Sequence, residues 1–553
     1  MKSRVLPLLA ASFFLNGTFV QAQVQIPPAV EPGVLQQREI EREQRIRSDE
    51  LRRDRIERPV QPSAPPAAIV SGADTVPFTV NEIRFEPASE ILKPQELEAL
   101  VTPYRGRIVK LSELLELVAQ INEIYRSKGV VTAQASLPAQ DVSDGSVTIR
   151  LVEGRVGQIL LQGNASTRED YITDRLSLKP RTLVELPRLE DDLVRFNRTN
   201  DAQLRVDLQP GTEVGLTDIA LTVVEPKRDD LRAFTDNLGS SATGEQRAGV
   251  AYTRRSLTGR RDDLFLSVVA AQGHQGHYVT YGLPISSLGT RLTLGYFNDR
   301  TKIVNGLIAP LNVSGEATAY SATLKHPLSV SASHQLDATS TLKKRRTVNF
   351  ISGTPLTAAD LSAGSLGLDL QVLDTHGYWT ANVEIASGRN RPADAPSRSY
   401  NVARGSVRRS FSSDPSLTFN AALNWQYASL QLLPASEQLV IGGEGTVRGY
   451  APGLLAGDRG MVLNLEAQRK IDLSAASGLG SAVFAFFDHG QVSPFRPVNN
   501  TRGSDVITSV GGGLQLAYKN LVSARLALGV PLRNRPEETR GSRITLQLTW
   551  FLL

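Results

Sequence analysis

Apolar and polar residues alternate one by one along the second half of the chain. The last segment shows this best: Ile544, Leu546, Leu548, Trp550 and Leu552 fall on one side, Arg543, Thr545, Gln547 and Thr549 on the other. A period of two marks a strand with two different faces. From about Lys227 to Leu553 sixteen such segments follow one another, the first near 231–239 and the last near 543–552. Turns rich in Gly, Asn, Asp, Ser and Pro separate them. Segment plus connection averages about twenty residues, which suits tilted membrane strands of ~9–11 residues with short turns on one side and longer loops on the other. A soluble sandwich array or a propeller is the competing reading, and strands this long in an exported chain weigh against it.

Upstream the period changes to that of helices. Leu111, Leu114, Leu115, Val118, Ile121 and Tyr125 recur at helical spacing, and Gly129 follows as a stop. Pro94 opens a shorter helix carrying Leu97, Leu100 and Val101. Strands are predicted over 78–85, 130–137 and 147–152. The order strand–helix–helix–strand–strand then recurs, with strands over 155–161, 203–209 and 216–224 and helices over 168–176 and 186–198. The two units close on Val152-Glu153-Gly154 and Val224-Glu225-Pro226. This predicts tandem small α/β domains over 78–153 and 154–226. The repeat alone does not separate peptide-binding modules from structural ones.

The N-terminal part is different again. Lys2 and Arg4 precede an apolar stretch from Val5 to Phe14 and on to Val20, and Val20-Gln21-Ala22 is an acceptable cleavage site, so 1–22 reads as a secretory signal peptide. A short membrane anchor is the alternative, but Pro7, Asn16 and Gly17 interrupt it. No run of 18 apolar residues follows, which leaves a soluble exported chain or a barrel, the other backbone that crosses a bilayer with its polar groups paired. Region 23–58 contains a predicted helix over 35–58. Between Arg38 and Arg58 stand eight Arg and seven acids with no Gly or Pro. Glu41–Arg45, Glu43–Arg47, Asp49–Arg53 and Asp54–Arg58 are acid-to-base pairs one turn apart. Leu35, Ile40, Ile46, Leu51 and Ile56 fall five or six apart and form no stripe, so this helix belongs in water or in a wet cavity. Its length, ~36 Å at 1.5 Å per residue, would cross a membrane-thick structure; a solvated arm is the plainer alternative. Pro59, Pro62, Pro65, Pro66 and Pro77 mark an extended linker over 59–77.

Composition narrows the chemistry. The 553 residues are 41% apolar and 21% charged, and none is Cys. Disulfide scaffolds, thiolate metal sites, iron–sulfur clusters and cysteine nucleophiles are therefore excluded. A net charge of +5 over this length does not by itself call for nucleic acid. Gly-Lys never occurs as a pair, and His-Glu-x-x-His and Gly-x-Ser-x-Gly are missing. His274 and His277 stand three apart at a predicted hairpin tip without a third ligand nearby. No metal, no cofactor and no enzymatic activity are expected.

Between the eleventh and twelfth strand segments lies Gly442-Gly443-Glu444-Gly445-Thr446-Val447-Arg448-Gly449-Tyr450, preceded by Ser436-Glu437-Gln438. It is very similar to the Val-Arg-Gly-Tyr loop of two-partner secretion transporters, the TpsB or FhaC/ShlB/HecB hemolysin secretion/activation family, a loop shared by the barrel-assembly superfamily. Phe484-Ala485-Phe486-Phe487-Asp488 resembles that family's Phe-x-Asp strand motif at Phe486 and Asp488. Asp236-Asn237-x-Gly239 with Gly244 resembles its first barrel hairpin. The order of parts also fits: signal, plug helix, linker, two POTRA domains, sixteen strands.

The resemblance implies an α+β architecture of periplasmic POTRA repeats followed by a transmembrane antiparallel β-barrel over 227–553, in the bacterial outer membrane. Loop 431–460 would fold back inside, where Arg448 would meet Asp488 on the wall, and Gly442, Gly443, Gly445 and Gly449 would permit tight turns there. It implies a pore that captures an unfolded secreted partner through its POTRA domains and passes it to the cell surface, with the polar helix as resting plug. The partners implied are a secreted TpsA-type exoprotein of the hemolysin, adhesin or toxin class, outer-membrane lipid and the barrel-assembly machinery; nucleic acid is not among them. Two other functions compete. One is an assembly or insertion factor of the same superfamily. The other is a passive porin, which needs no tandem periplasmic domains.

Overall fold

The computed structural model describes residues 30–53, 77–130, 132–213, 215–428, 433–472, 478–494, 503–534 and 541–553, the side chains of 43–53 excepted. The predicted signal peptide and nearly all of the Pro-rich linker lie outside these residues, as do the acid-to-base pairs foreseen beyond Arg42.

Sixteen antiparallel strands close into one barrel, and the last, Arg543–Phe551, pairs with the first, Asp229–Asp236. Its surface is that of a soluble protein turned inside out. Leu266, Leu294, Leu342, Leu366, Ile385, Ile544 and Leu546 are exposed on the outer wall, whereas Asp299, Arg345 and Asp488 are buried inside. Lipid accepts the apolar face, and the polar face lines a lumen, as the alternation predicts. Along the last strand Arg543 and Thr545 are buried while Ile544 and Leu546 are exposed. Aromatic residues gather near the strand ends: Trp379, Phe419, Tyr518 and Trp550 at the end nearer the α/β units, Tyr296 and Tyr320 toward the other. Such girdles sit where hydrocarbon meets head groups.

Two α/β units precede the barrel and share one topology. In the first, Glu82–Glu86 pairs in parallel with Ser146–Val152, which pairs antiparallel with Gln134–Ser136. In the second, Arg155–Gln162, Leu216–Val224 and Gln203–Pro210 repeat that pattern. Helix Leu111–Ser127 buries Leu114, Leu117, Ile121 and Tyr125 against Ile83, Val147 and Ile149; helix Leu186–Thr199 buries Leu189, Leu193 and Phe196 against Leu204, Ile219 and Leu221. Two strands differ from expectation. The first breaks at Asn81, whose backbone and side-chain amides bond the carbonyls of Gly145 and Asp144, leaving Phe78–Val80 to pair with Arg107–Val109. The strand expected over 130–137 shrinks to Gln134–Ser136, because the Val130 amide is held by the Tyr125 carbonyl at the helix end.

The second unit docks on the proximal turns of the barrel. Arg261 forks onto Asp201 and also donates to Ser166 and Thr167; Arg198 and Arg175 donate to the carbonyls of Ala332 and Ser286. Glu225, at the junction, accepts from the Ser166 amide and hydroxyl and from Thr167.

Candidate functional site in the barrel lumen

Three parts meet in the lumen: a helix, an inward loop and the first hairpin. The helix spans Pro32–Arg53, about 33 Å at 1.5 Å per residue. Its start lies at the distal mouth, where Val30, just before the helix, packs with Ile303 and Val313. Its apolar residues form no stripe, and polar groups hold it to the wall. Gln36 donates to the Ala317 carbonyl at 3.1 Å. Arg345, 1% exposed, donates to Gln36 at 3.0 Å and to Gln37 at 2.9 Å. Glu39 pairs with Arg247, and Arg42 reaches Asp236 at 3.3 Å while lying 4.8 Å from the Phe234 ring centre. Ile40 supplies one apolar contact, against Phe234, Val269, Tyr278 and Phe297.

The loop between Leu417–Ala428 and Arg459–Ile471 turns inward. It forms a small hairpin, Leu439–Ile441 with Leu455–Gly457, whose tip carries the Gly-rich segment. Arg448 reaches the thirteenth strand, Leu479–Ser493. Its Nε donates to Asp488 Oδ2 at 2.7 Å and its Nη2 to Oδ1 at 2.9 Å, the fork-to-fork geometry that Lys cannot reproduce. The Arg448 backbone amide donates to the same carboxylate at 3.0 Å. The guanidinium lies 3.6 Å from the centre of the Phe486 ring, a cation–π contact. Val447 and Tyr450 are fully buried with Ile441, Val462, Val492 and Ile507. The Tyr450 hydroxyl meets the backbone of Thr508 and Arg533.

Glycine is required at Gly449. Its φ is +88°, and a Cβ there would stand 2.8 Å from the Gly529 carbonyl carbon, so loop and fifteenth strand (Val522–Pro531) meet backbone to backbone. Gly442 and Gly443 also have positive φ, and side chains there would press on the returning segment at Ala451 and Pro452.

Several partners lie beyond the motif. Glu466 accepts from Arg448 at 2.5 Å and from Arg525 at 2.9 Å. Asn464, directly opposite Asp488 in register, donates to it at 2.8 Å and also holds the Thr446 carbonyl. The loop base is pinned separately. Glu437, with a side chain 1% exposed, takes Lys343 at 2.6 Å and Arg404 at 2.7 Å, and Arg345 stands 3.6 Å away. Arg345 thus faces both the helix and the loop base. The readable signal was parity. Asn464, Glu466, Lys343 and Arg345 are polar or charged at the inward positions of membrane strands, where such groups need partners.

The first hairpin does two things. Asp236 takes a forked pair from Arg247, at 2.8 and 3.0 Å, and so ties the second strand to the helix through Glu39 and Arg42. Asn237 continues the barrel seam with its side chain, donating to the Ile544 carbonyl at 3.0 Å and accepting from the Leu546 amide at 2.8 Å. Gly239 and Gly244 let the turn fold on itself; a Cβ on Gly239 would stand 2.1 Å from the Gly244 carbonyl oxygen. His274 stands beside the two-residue turn of a hairpin, as expected, and its ring faces Asp299 at 3.0 Å.

A polar cavity of about 960 Å³ reaches Asn197 to Gln203 of the second α/β unit and is lined by residues of both signs, among them Arg291, Lys325, Asp337 and Glu384. The site therefore combines a polar cavity, a polar helix held to the wall and a pinned loop.

Comparison with known proteins agrees with this architecture. The chain is similar to the heme/hemopexin transporter protein HuxB of Haemophilus influenzae, 25% identical over 525 residues, covering 88% of this chain and 91% of that protein. It is 26% identical to the outer membrane transporter CdiB of Dickeya dadantii over 408 residues, covering 69% and 71%. Among solved structures, CdiB from Escherichia coli superposes with a TM-score of 0.65 at 19% identity, covering 94% of this chain and 97% of that one, a likeness of fold. Residues 78–154 match a POTRA domain of the ShlB type. Residues 215–516 match the model of the haemolysin secretion/activation protein ShlB/FhaC/HecB, and the chain belongs to this family of outer-membrane β-barrel transporters.

Proposed function

We propose that this chain exports an unfolded partner protein through the outer membrane by two-partner secretion. The observation that carries this reading is the charged helix lying along the lumen and held mainly by ion pairs and hydrogen bonds. Such contacts exchange readily for water, so the helix can leave without exposing an apolar face. The tandem α/β units, a POTRA pair in the periplasm, receive the partner. In the second unit Arg155–Gln162 is an edge strand with Leu160 exposed, and strand addition there would supply main-chain hydrogen bonds for varied sequences. Arg448 and Asp488 hold the inward loop in one position while the path opens. No nucleotide motif is present, so folding of the cargo outside the cell supplies the bias. The names of the relatives point to a heme-, hemopexin- or hemolysin-related cargo or a CdiB-type one; a secreted exoprotein of this general class is the partner proposed.

The test is deletion of residues 31–58 and single-channel recording in a planar bilayer. The deleted chain should show a larger and steadier conductance. An unchanged conductance would refute the plug.

A further inference from the structure

The outer wall of strands five to nine, Arg291–Lys302, Val313–Val330, His334–Ile351, Thr354–Asp374 and Gly377–Pro392, carries a feature that transport does not use. Cross-strand partners place its outward residues in level rows. One row runs Tyr296, Tyr320, Lys344, Ser362, Arg389. The next row toward the distal end holds Arg346, Asp360 and Arg391. Lys344, Arg346, Arg389 and Arg391 are all exposed. Among the described residues Lys344, Arg389 and Arg391 have no hydrogen-bond or ion-pair partner, and Arg346 reaches only Asp360, at 4.0 Å.

Position sets what these cations meet. Lys344 stands ten residues beyond the proximal strand start at His334, about 33 Å along a strand at ~3.3 Å per residue and about 25 Å across a bilayer at a tilt of ~40°. That is the height of an apolar band, and the Tyr296–Tyr320 ring pair, 5.3 Å apart, marks its upper rim in the same row. The proximal end bears the POTRA units and faces the periplasm, so this rim is the outer-leaflet head-group layer. Directly below Lys344 a groove of about 540 Å³ runs over Tyr320, Ala322, Leu342 and Gly364. It exists because Gly364 has no side chain; a Cβ there would meet only Leu342, at 3.5 Å.

We propose that this face is a binding site for a phosphorylated glycolipid of the outer leaflet, with its phosphates on the four cations and one acyl chain in the groove. Four cations in two rows, on the seventh and ninth strands with one strand between, exceed what a single phosphomonoester can pair, which favours a lipid with two phosphates. Lys343 and Arg345, the inward neighbours of Lys344 and Arg346 on the seventh strand, hold Glu437 and the helix. Bound lipid would stiffen the strand that anchors both.

The test is native mass spectrometry of the full chain in detergent, titrated separately with bis-phosphorylated lipid A, phosphatidylglycerol and phosphatidylethanolamine. Lipid A adducts should persist at concentrations about tenfold below those needed for phosphatidylglycerol. The variant Lys344→Ser/Arg346→Ser/Arg389→Ser/Arg391→Ser should bring lipid A down to the phosphatidylglycerol level, with heat-modifiable migration showing a folded barrel. Gly364→Leu, which fills the groove and keeps every charge, should weaken lipid A binding several-fold. Lipid A retention at the wild-type level in both variants overturns the site. Equal retention of lipid A and phosphatidylglycerol by the wild-type chain overturns the two-phosphate assignment.

Discussion

Arg448→Ala tests the inner loop most directly. The substitution removes both side-chain donors to Asp488, whose carboxylate is 0% exposed and keeps only Asn464 and the residue-448 amide. Glu466 is spared, because Arg525 still donates to it at 2.9 Å. Breaking one side of a buried pair costs about 3–5 kcal/mol, most of it the stranded charge. If that cost falls on the seated loop, local opening becomes about a hundred- to a few thousand-fold more frequent, at ~1.4 kcal/mol per decade. Hydrogen exchange of the full chain in detergent reads this in peptides spanning 442–450. The amides of Val447 to Tyr450 should exchange faster by that factor, while the α/β units stay unchanged. Adding Asp488→Asn to Arg448→Ala removes the stranded charge and should return part of the protection. Wild-type exchange in Arg448→Ala, or strictly additive losses in the double variant, would refute the reasoning.

Three further outcomes follow from single contacts. Arg345→Ala removes two charge-assisted hydrogen bonds to the helix, each worth about 1.5–3 kcal/mol, and should raise the frequency of full-conductance openings at least tenfold; an unchanged record contradicts the anchor. Asn237→Ala shortens a seam that has five paired positions, and should lower the midpoint of heat-modifiable unfolding, with Asn237→Asp in between because it keeps the acceptor for Leu546. Where the second α/β unit joins the barrel, burial raises the Glu225 carboxyl, but hydrogen bonds from Ser166 and Thr167 and the nearby Arg261 outweigh it and hold the group below its ordinary range. A depressed carboxyl contributes stability above the unfolded value near ~4.3 and loses it as pH falls through the lower folded value. Exchange at the Ser166 amide should therefore rise below about pH 4, and Glu225→Gln should remove that pH dependence.

The barrel was legible because its determinant is local. In lipid each strand must alternate, so parity together with the turn residues located the sixteen strands, including the inward Arg543 and Thr545. The two α/β units were legible from helical spacing, and their strand ends were not, since Asn81 and Val130 are claimed by backbone groups elsewhere in the fold. Residues 236–244 and 442–450 were readable as motifs, yet a motif carries no distances. The helix shows the division best. Its charges and missing stripe dictate a wet setting, and several wet settings satisfy that equally. Only closure of the wall brings Asp236 and Arg247 of the first hairpin and Arg345 of the seventh strand together around Glu39, Arg42 and Gln36. A period is a property of neighbours along the chain, whereas ion pairs across a lumen depend on how the cylinder closes, and no window of sequence contains that.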